Sequence, residues 1–321
     1  MQKFVVDEKE AGQTLEKYVK KVLSDAPASI IYKLFRKKDV KVNGHWQDRK
    51  YVVSSGEEIS IYLLDSQIEE FKKQKTISSL SLVKDWIIYE DENILLINKP
   101  RGVLVQKAEE NDEALDDMVI SYLVDKKEYD PDKNVGYKPA PSHRLDRNTE
   151  GIVVFGKNLK TLQYLSTIMS NKEKISKKYL TLVKGVVDEE GEISKPLLKK
   201  QSHVEVDYSN GKEAITQYRR LKIVGDYSLV EVKLLTGRTH QIRVHFASIG
   251  HPVVGDSKYG DFRLNKEIEN NYHFKNQFLV AYSLKFTGLS EPLKNLNNKE
   301  FKIEMSKELL DLPESLSNNK R

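Results

Sequence analysis

Alternation of apolar and polar residues in the second half of the chain constrains the fold more than any other feature of the sequence. After residue 175 the two kinds of side chain alternate, or nearly so, in a segment that begins at Tyr179 and over residues 203–207, 214–218 and 227–234. Successive side chains of a β-strand point to opposite faces of a sheet, so this period of two predicts strands with one buried face. We therefore expect β-structure to dominate this half of the chain.

The composition limits the classes of protein and of chemistry. Of the 321 residues 39% are hydrophobic and 31% are charged, as is typical of a soluble globular protein, and the net charge of +5 permits an anionic partner. The sequence contains no cysteine, which excludes disulfides, thiolate metal sites and cysteine nucleophiles. No apolar run is long enough for a signal peptide or a membrane helix. We therefore expect a cytoplasmic protein that binds no membrane.

Residues 1–64 are predicted to form a small α-β module. Apolar residues recur at helical spacing around residues 15–23 and again around residues 30–35. Asn43-Gly44, between alternating residues, predicts a hairpin. The other side of the second predicted helix carries four basic residues, Lys33, Arg36, Lys37 and Lys38. Such a face is most often only a solvated surface.

The remainder of the chain divides into three parts. Residues 65–85 are polar and basic without a clear period, which predicts a linker. Residues 86–305 contain the predicted strands and several amphipathic helices, and are expected to form a second, larger domain. Residues 306–321 are polar and are predicted to be a tail that frays.

One loop in the larger domain carries a candidate catalytic group. The string Pro141-Ser-His-Arg-Leu-Asp-Arg-Asn-Thr-Glu-Gly151 places the carboxylate of Asp146 between Arg144 and Arg147, ahead of an apolar run that predicts a buried strand. Neighbouring cations favour the ionised form of a carboxylate. From the local chemistry alone, a surface aspartate paired with an arginine at a turn is the favoured interpretation.

Three strings of the larger domain together resemble the signatures of the RluA-type pseudouridine synthases, which modify RNA. They are His143-Arg-Leu-Asp-Arg-x-Thr149-x-Gly151, Lys177-Lys178-Tyr179 and, at residues 236–243, Thr-Gly-Arg-Thr-His-Gln-Ile-Arg. The resemblance implies that Asp146 is the catalytic residue. It also implies that Tyr179 packs against the target base and can assist proton transfer, and that Arg238 forms an ion pair with Asp146.

The same resemblance implies how RNA is bound. A uridine inside a helix must be flipped out before its C1′ and C5 can react. Arg144 is expected to fill the vacated stack or to hold the displaced strand, and Ile242 to belong to the hydrophobic floor of the site. The N-terminal module resembles the S4 RNA-binding domain at Val42-Asn43-Gly44. Its four basic residues are therefore predicted to contact RNA phosphates.

The implied fold is of the α+β class, with an S4-like α-β module followed by a catalytic domain that has a mixed, mostly antiparallel central sheet. The implied reaction isomerises uridine to pseudouridine without a redox step or group donor, so neither a cofactor nor a metal is expected. The expected partner is RNA, with large-subunit ribosomal RNA as the leading substrate because members of the family that act there share this layout. A monomer is expected.

The sequence leaves other functions open. The chain could be a non-catalytic RNA-binding or ribosome-assembly protein on the same fold, or a synthase that acts on tRNA. Residues 151–158 nearly match a phosphate-binding loop, which would indicate a nucleotide-binding enzyme. However, Asn158 stands where that loop needs Ser or Thr for Mg²⁺, and four apolar residues favour a buried strand.

Overall fold

The N-terminal part of the chain is a four-stranded sheet with helices packed on it. The computed structural model describes residues 1–71, 82–109 and 112–318. The first elements are β1 (Gln2–Val5), α1 (Leu15–Val22), α2 (Ala28–Lys37), β2 (Val40–Val42), β3 (His45–Trp46), β4 (Glu58–Ile61) and α3 (Asp65–Phe71). The antiparallel strands lie in the order β1-β4-β2-β3. Positive φ angles at Asn43 and Gly44 close the predicted hairpin between β2 and β3.

A ten-stranded sheet organises the rest of the described chain. Its path is built from β5 (Ile87–Glu90), β6 (Ile94–Lys99), β8 (Glu150–Gly156), β9 (Ile175–Lys184), β10 (Glu190–Ser194), β13 (Ile215–Val224), β14 (Tyr227–Leu234) and β15 (Leu279–Phe286). The order is β10-β13-β14-β9-β15-β8-β6-β5. β15 and β8 run parallel, whereas the other neighbours on this path are antiparallel.

Shorter strands and helices complete this domain. They are α4 (Leu115–Asp125), β7 (Ala140–Pro141), α5 (Leu159–Ile168), β11 (Leu197–Lys199), β12 (Val204–Val206), α6 (Gln241–Ser248), α7 (Phe262–Tyr272), β16 (Glu300–Lys302) and α8 (Lys307–Asn318). β7 pairs with β8 and β16 with β15, while β11 and β12 form a separate pair. The predicted α+β class with a mixed, mostly antiparallel sheet is confirmed. None of the described helices combines the length and apolar character needed to cross a bilayer.

Two predicted irregular segments contain helices instead. The predicted linker begins with α3, and Ile68 of that helix is buried in the core of the N-terminal module. Residues 72–81 of the same predicted linker lie outside the described residues. The predicted tail contains α8, whose Leu309, Leu312 and Leu316 are buried against the larger domain. Spacings of three and four residues put these leucines on one helix face.

The central strand β8 positions the candidate catalytic loop. All seven of its residues are buried, and the loop of residues 142–149 leads directly into it. Gly151 has φ 134°, and a Cβ there would lie 2.4 Å from the carbonyl oxygen of Ala281. Only glycine therefore allows β15 to approach β8 this closely. The close approach holds the end of the loop against the middle of the sheet.

Candidate active site

A cavity of about 1000 Å³ lies where three separate parts of the chain meet. Its walls include the loop before β8, the beginning of β9 and the turn between β14 and α6, and residues 104–108, 169–172 and 257–258 also contribute. The loop, the strand and the turn carry the three strings that the sequence singled out, and they bring Asp146, Tyr179 and Arg238 to one site. The cavity is thus the candidate active site.

A chain of charges holds Asp146 in this cavity. Arg243 on α6 donates from its Nη1 to Oδ2 of Asp146 over 2.7 Å. The same guanidinium binds Asp256 through two further bonds, of 2.7 Å from Nε and 2.8 Å from Nη2. Asp256 is fully buried, whereas the side chain of Asp146 is 25% exposed. Arg243 therefore links a buried anchor to a carboxylate that faces the cavity.

The electrostatics keep this arginine charged. Burial lowers the pKa of Arg243, but its hydrogen bonds and charge interactions with Asp256 and Asp146 outweigh that effect and raise the pKa. Burial alone would raise the pKa of Asp256. The hydrogen bonds from Arg243 and the charge of that arginine outweigh burial, so the pKa of Asp256 is lowered. Arg243 is therefore a permanent cation that lies against the carboxylate of Asp146.

Two further side chains fix the position of Arg243. The ring of Tyr259 lies against the guanidinium, 5.1 Å from ring centroid to Cζ. The hydroxyl of Tyr259 is 2.8 Å from Nδ1 of His240, whose Nε2 is 3.8 Å from Oδ1 of Asp146. Burial lowers the pKa of His240, although Asp146 opposes this shift. His240 is therefore mainly neutral near pH 7, and Arg243 supplies the charge that Asp146 faces.

The predicted ion pair between Arg238 and Asp146 is wrong. Arg238 lines the cavity, but its Nε donates to the carbonyl oxygen of Glu213 over 2.9 Å. The turn that begins at Gly237 directs Arg238 toward the neighbouring chain segment, whereas Arg243 lies on α6 and reaches Asp146. Arg243 belongs to the same string of residues 236–243, and the sequence alone did not single it out.

Tyr179 lies on the wall of the same cavity as Asp146. It is 8% exposed, and its ring packs with Ile242 and Leu145 in one apolar cluster. Burial, and secondly the charge of Asp146, raise the pKa of its hydroxyl. The phenol is therefore neutral at physiological pH. Ile242 is 4% exposed and belongs to the same cluster, and among the described residues it is not one of those that line the cavity, where it was predicted to form the floor.

The loop around Asp146 is held by its backbone. Nζ of Lys99 donates to the carbonyl oxygens of Pro100, Val103 and Arg147, over 2.7, 2.9 and 2.9 Å. The amide of Gly102 also donates to the Arg147 carbonyl, over 3.0 Å. Burial lowers the pKa of Lys99 to about 7, while Asp146 and Glu150 act in the opposite direction. An ammonium group has three protons, and Lys99 in its charged form donates all three, which holds the residue after Asp146 in place.

The remaining predicted residues are exposed. Arg144 lies on the cavity wall with its side chain open to solvent. Lys33, Arg36 and Lys37 are exposed on α2, and Lys38 ends that helix with φ 62°. Nζ of Lys38 lies 5.1 Å from the ring centroid of Trp46, which is itself exposed. The N-terminal module thus combines a basic face with an accessible aromatic ring.

Comparisons with known proteins agree with this geometry. The family described as RNA pseudouridylate synthase matches residues 93–248. The chain is 33% identical to an uncharacterized RNA pseudouridine synthase of Mycoplasma capricolum, over 93% of this chain and 96% of that protein. It is 32% identical to ribosomal large subunit pseudouridine synthase C of Buchnera aphidicola, over 88% of each chain. The Escherichia coli protein of the same name is 30% identical, over 87% of this chain and 86% of its own.

Solved structures share the fold at low sequence identity. Human RNA pseudouridylate synthase domain containing 4 superimposes with a TM-score of 0.56 at 20% identity, over 72% of this chain and 93% of that one. Human RNA pseudouridylate synthase domain containing 1 gives a TM-score of 0.50 at 22% identity, over 77% and 98%. The arrangement of the large sheet is therefore common to these proteins and to this chain.

Proposed function

Since the chain belongs to the RNA pseudouridylate synthase family, we propose that it isomerises specific uridines of large-subunit ribosomal RNA to pseudouridine, with Asp146 as the catalytic residue. The single observation that supports this role most strongly is the ion pair of 2.7 Å between Asp146 and the buried Arg243. It leaves Oδ1 of Asp146 as the carboxylate oxygen available to a substrate in the cavity.

The reaction breaks the bond between uracil N1 and ribose C1′ and forms a bond from C5 to C1′. An ionised carboxylate can serve by attacking C1′, by attacking the ring or by removing a ribose proton, and for all three uses the bond from Arg243 holds the carboxylate in place. Tyr179 supplies a flat ring beside Asp146 on which a base can stack. Its neutral hydroxyl can also donate a proton to the reacting ring.

Access to the uridine requires that the base leave the RNA stack. Arg144 is exposed two residues before Asp146 and lies on the cavity wall. Its planar guanidinium suits both stacking on neighbouring bases and binding of a phosphate. We therefore assign to Arg144 the stabilisation of the flipped state, and to Lys33, Arg36, Lys37 and Lys38 sequence-independent contacts to the RNA backbone.

The choice of substrate rests on the curated relatives. Proteins from Buchnera, Vibrio, Salmonella and Escherichia that are about 30% identical over most of this chain are all named for the large ribosomal subunit. The similarity covers more than 85% of this chain and therefore extends into the N-terminal module. A monomer in the cytoplasm remains the prediction from the sequence.

Tritium release from RNA labelled at uridine C5 tests the proposal. The substrates are ribosomal RNA and tRNA from a strain that lacks this protein, and the matched variant is Asp146→Asn. We expect release from ribosomal RNA by the wild type, no release by Asp146→Asn, and RNA affinity within about twofold for both proteins. Release from tRNA alone would change the substrate class. No release from either pool would contradict the proposed activity.

A further inference from the structure

The cavity is strongly basic. Nine lysine and arginine residues line it, and within the described part of the chain Asp146 is the one carboxylate among its lining residues. Several of these cations have partners: Arg243 binds two aspartates, Arg147 binds Asp112, and Lys258 binds a backbone carbonyl. Lys172 and Lys177 differ, because no hydrogen bond or ion pair joins the amino group of either side chain to another described residue.

Both lysines are nevertheless withdrawn from water. Lys177 is half-buried at the beginning of β9, and Lys172 is half-buried in the turn between α5 and β9. Burial, and secondly the charge of Lys172, lower the pKa of Lys177 to about 7. Burial also lowers the pKa of Lys172. Neither amino group has a counter-ion among the described residues, so an anion that binds there would stabilise the charged forms of both lysines.

The geometry of β9 directs Lys177 toward the substrate. Lys177 and Tyr179 are two residues apart on this strand, so their side chains lie on the same face, separated by about 7 Å. The intervening Lys178 points the opposite way and lies 3.3 Å from Glu231 on β14. The neighbouring His143 is held neutral, because burial and then the charge of Lys177 lower its pKa well below the usual range.

We propose that Lys177 and Lys172 form an anion subsite that binds one backbone phosphate of the RNA strand, next to the uridine whose base stacks on Tyr179. This inference rests on the proposed function, because that function places a nucleotide between Tyr179 and Asp146. A phosphodiester supplies the negative charge and the acceptor oxygens that the two ammonium groups lack. Binding there fixes the sugar of the flipped nucleotide relative to the Asp146 carboxylate.

The salt dependence of RNA binding provides the first test. Wild-type protein, Lys177→Gln and Lys172→Gln are titrated with a ribosomal RNA transcript over a range of KCl concentrations, with Lys178→Gln as the matched control on the opposite face of β9. Loss of one phosphate contact reduces the slope of log affinity against log salt by about 0.7 to 0.9. We expect that reduction and about tenfold weaker binding for the two subsite variants, and wild-type values for Lys178→Gln.

The position of the phosphate is tested with modified substrates. Single methylphosphonate linkages, which are neutral, are placed on either side of a uridine that wild-type protein converts. One of them should weaken wild-type binding about tenfold and leave Lys177→Gln unaffected, whereas Lys177→Arg should respond like the wild type. Equal sensitivity of wild type and Lys177→Gln to every linkage overturns the subsite. So does a loss of kcat in Lys177→Gln with unchanged binding and salt slope, which indicates proton transfer by Lys177.

The experiments separate the phosphate subsite from the proposed formation of pseudouridine. Absence of tritium release by wild-type protein counts against pseudouridine formation, whatever the lysine variants do. Normal release by both wild type and Lys177→Gln, with equal salt slopes, counts against the subsite alone. If substitution of the more buried Lys177 impairs folding, Lys172→Gln still tests the subsite, because Lys172 lies in a turn.

Discussion

At the scale of single residues, the site depends on one arginine that two carboxylates share. Arg243 makes three hydrogen bonds of 2.7 to 2.8 Å, one to Asp146 and two to the fully buried Asp256. The planar fork of a guanidinium can hold both carboxylates at once, whereas an ammonium group is a single point of charge. The identity of this residue therefore matters more than its charge.

Substitution of Arg243 by lysine should reduce kcat for pseudouridine formation by about 100-fold or more, because lysine cannot keep both Asp146 and Asp256 in place. Arg238→Gln should change kcat by no more than about fivefold, because Arg238 binds the carbonyl of Glu213. Tritium release under saturating RNA measures both variants. A larger loss in Arg238→Gln than in Arg243→Lys would restore Arg238 as the partner of Asp146.

His143 should make stability depend on pH. Its Nε2 accepts a bond of 3.3 Å from the amide of Val154, and burial lowers its pKa well below 6.5. The unfolded chain therefore takes up a proton near pH 6.5 that the folded protein does not, so stability decreases as the pH falls below about 7.

Below that pH, we expect wild-type protein to lose up to about 1.4 kcal/mol per pH unit more than His143→Gln, the limit for one proton. Urea unfolding at pH 5.5, 6.5 and 7.5 measures the difference. His240 and His245 also have lowered pKa values, but both are present in the two proteins and cancel in the comparison. Parallel pH profiles for wild type and variant would refute this role of His143.

At the scale of elements, the sequence predicted the strands better than the helices that pack on them. Periods of two located β9, β13 and β14, because alternation depends on local chain geometry. The helix α8 was missed because its three buried leucines stand among charged and polar residues. Its stability comes from a surface that other parts of the chain build, which no local pattern contains.

The candidate site also depends on contacts that no local sequence pattern contains. Resemblance singled out Asp146 and Tyr179, since both lie in short strings whose residue types are unusual together, and both line the same cavity. It did not identify the ion-pair partner, because Asp146 and Arg243 are 97 residues apart and meet only through packing of α6 against the sheet. Local sequence presents Arg238 and Arg243 as equivalent, and the tertiary structure distinguishes them.

A pair of adjacent leucines tests the packing of α8. Leu309 is fully buried, whereas Leu310 is 48% exposed. Leu309→Ala should lower the free energy of unfolding by about 2 to 5 kcal/mol, and Leu310→Ala by less than about 0.5 kcal/mol. Both substitutions change helix propensity equally, so the difference isolates burial. Urea unfolding monitored by circular dichroism measures it, and equal values would mean that α8 does not pack on the domain.

At the scale of the whole molecule, Gly136 joins the N-terminal module to the larger domain. Its carbonyl accepts bonds of 2.8 Å from Gln13 and from Lys21, and its amide donates to the carboxylate of Glu10. A Cβ at this position would lie 2.6 Å from the buried ring of Tyr18. Because it would enter the space of that ring, even a methyl group should disturb the docking of the two parts.

Gly136→Ala should therefore weaken RNA binding without changing the chemistry of the site. When the module is undocked, its basic face no longer has a fixed position relative to the cavity, and the contacts of the two parts no longer reinforce one another. We expect KM for ribosomal RNA to rise about tenfold while kcat stays within about twofold, and small-angle scattering to give a larger radius of gyration. Asp132→Ala, at an exposed position of the same loop, is the matched control. A fall in kcat with unchanged KM would instead connect Gly136 to the catalytic loop. Unchanged scattering and unchanged kinetics would show that the docked arrangement does not contribute to RNA binding.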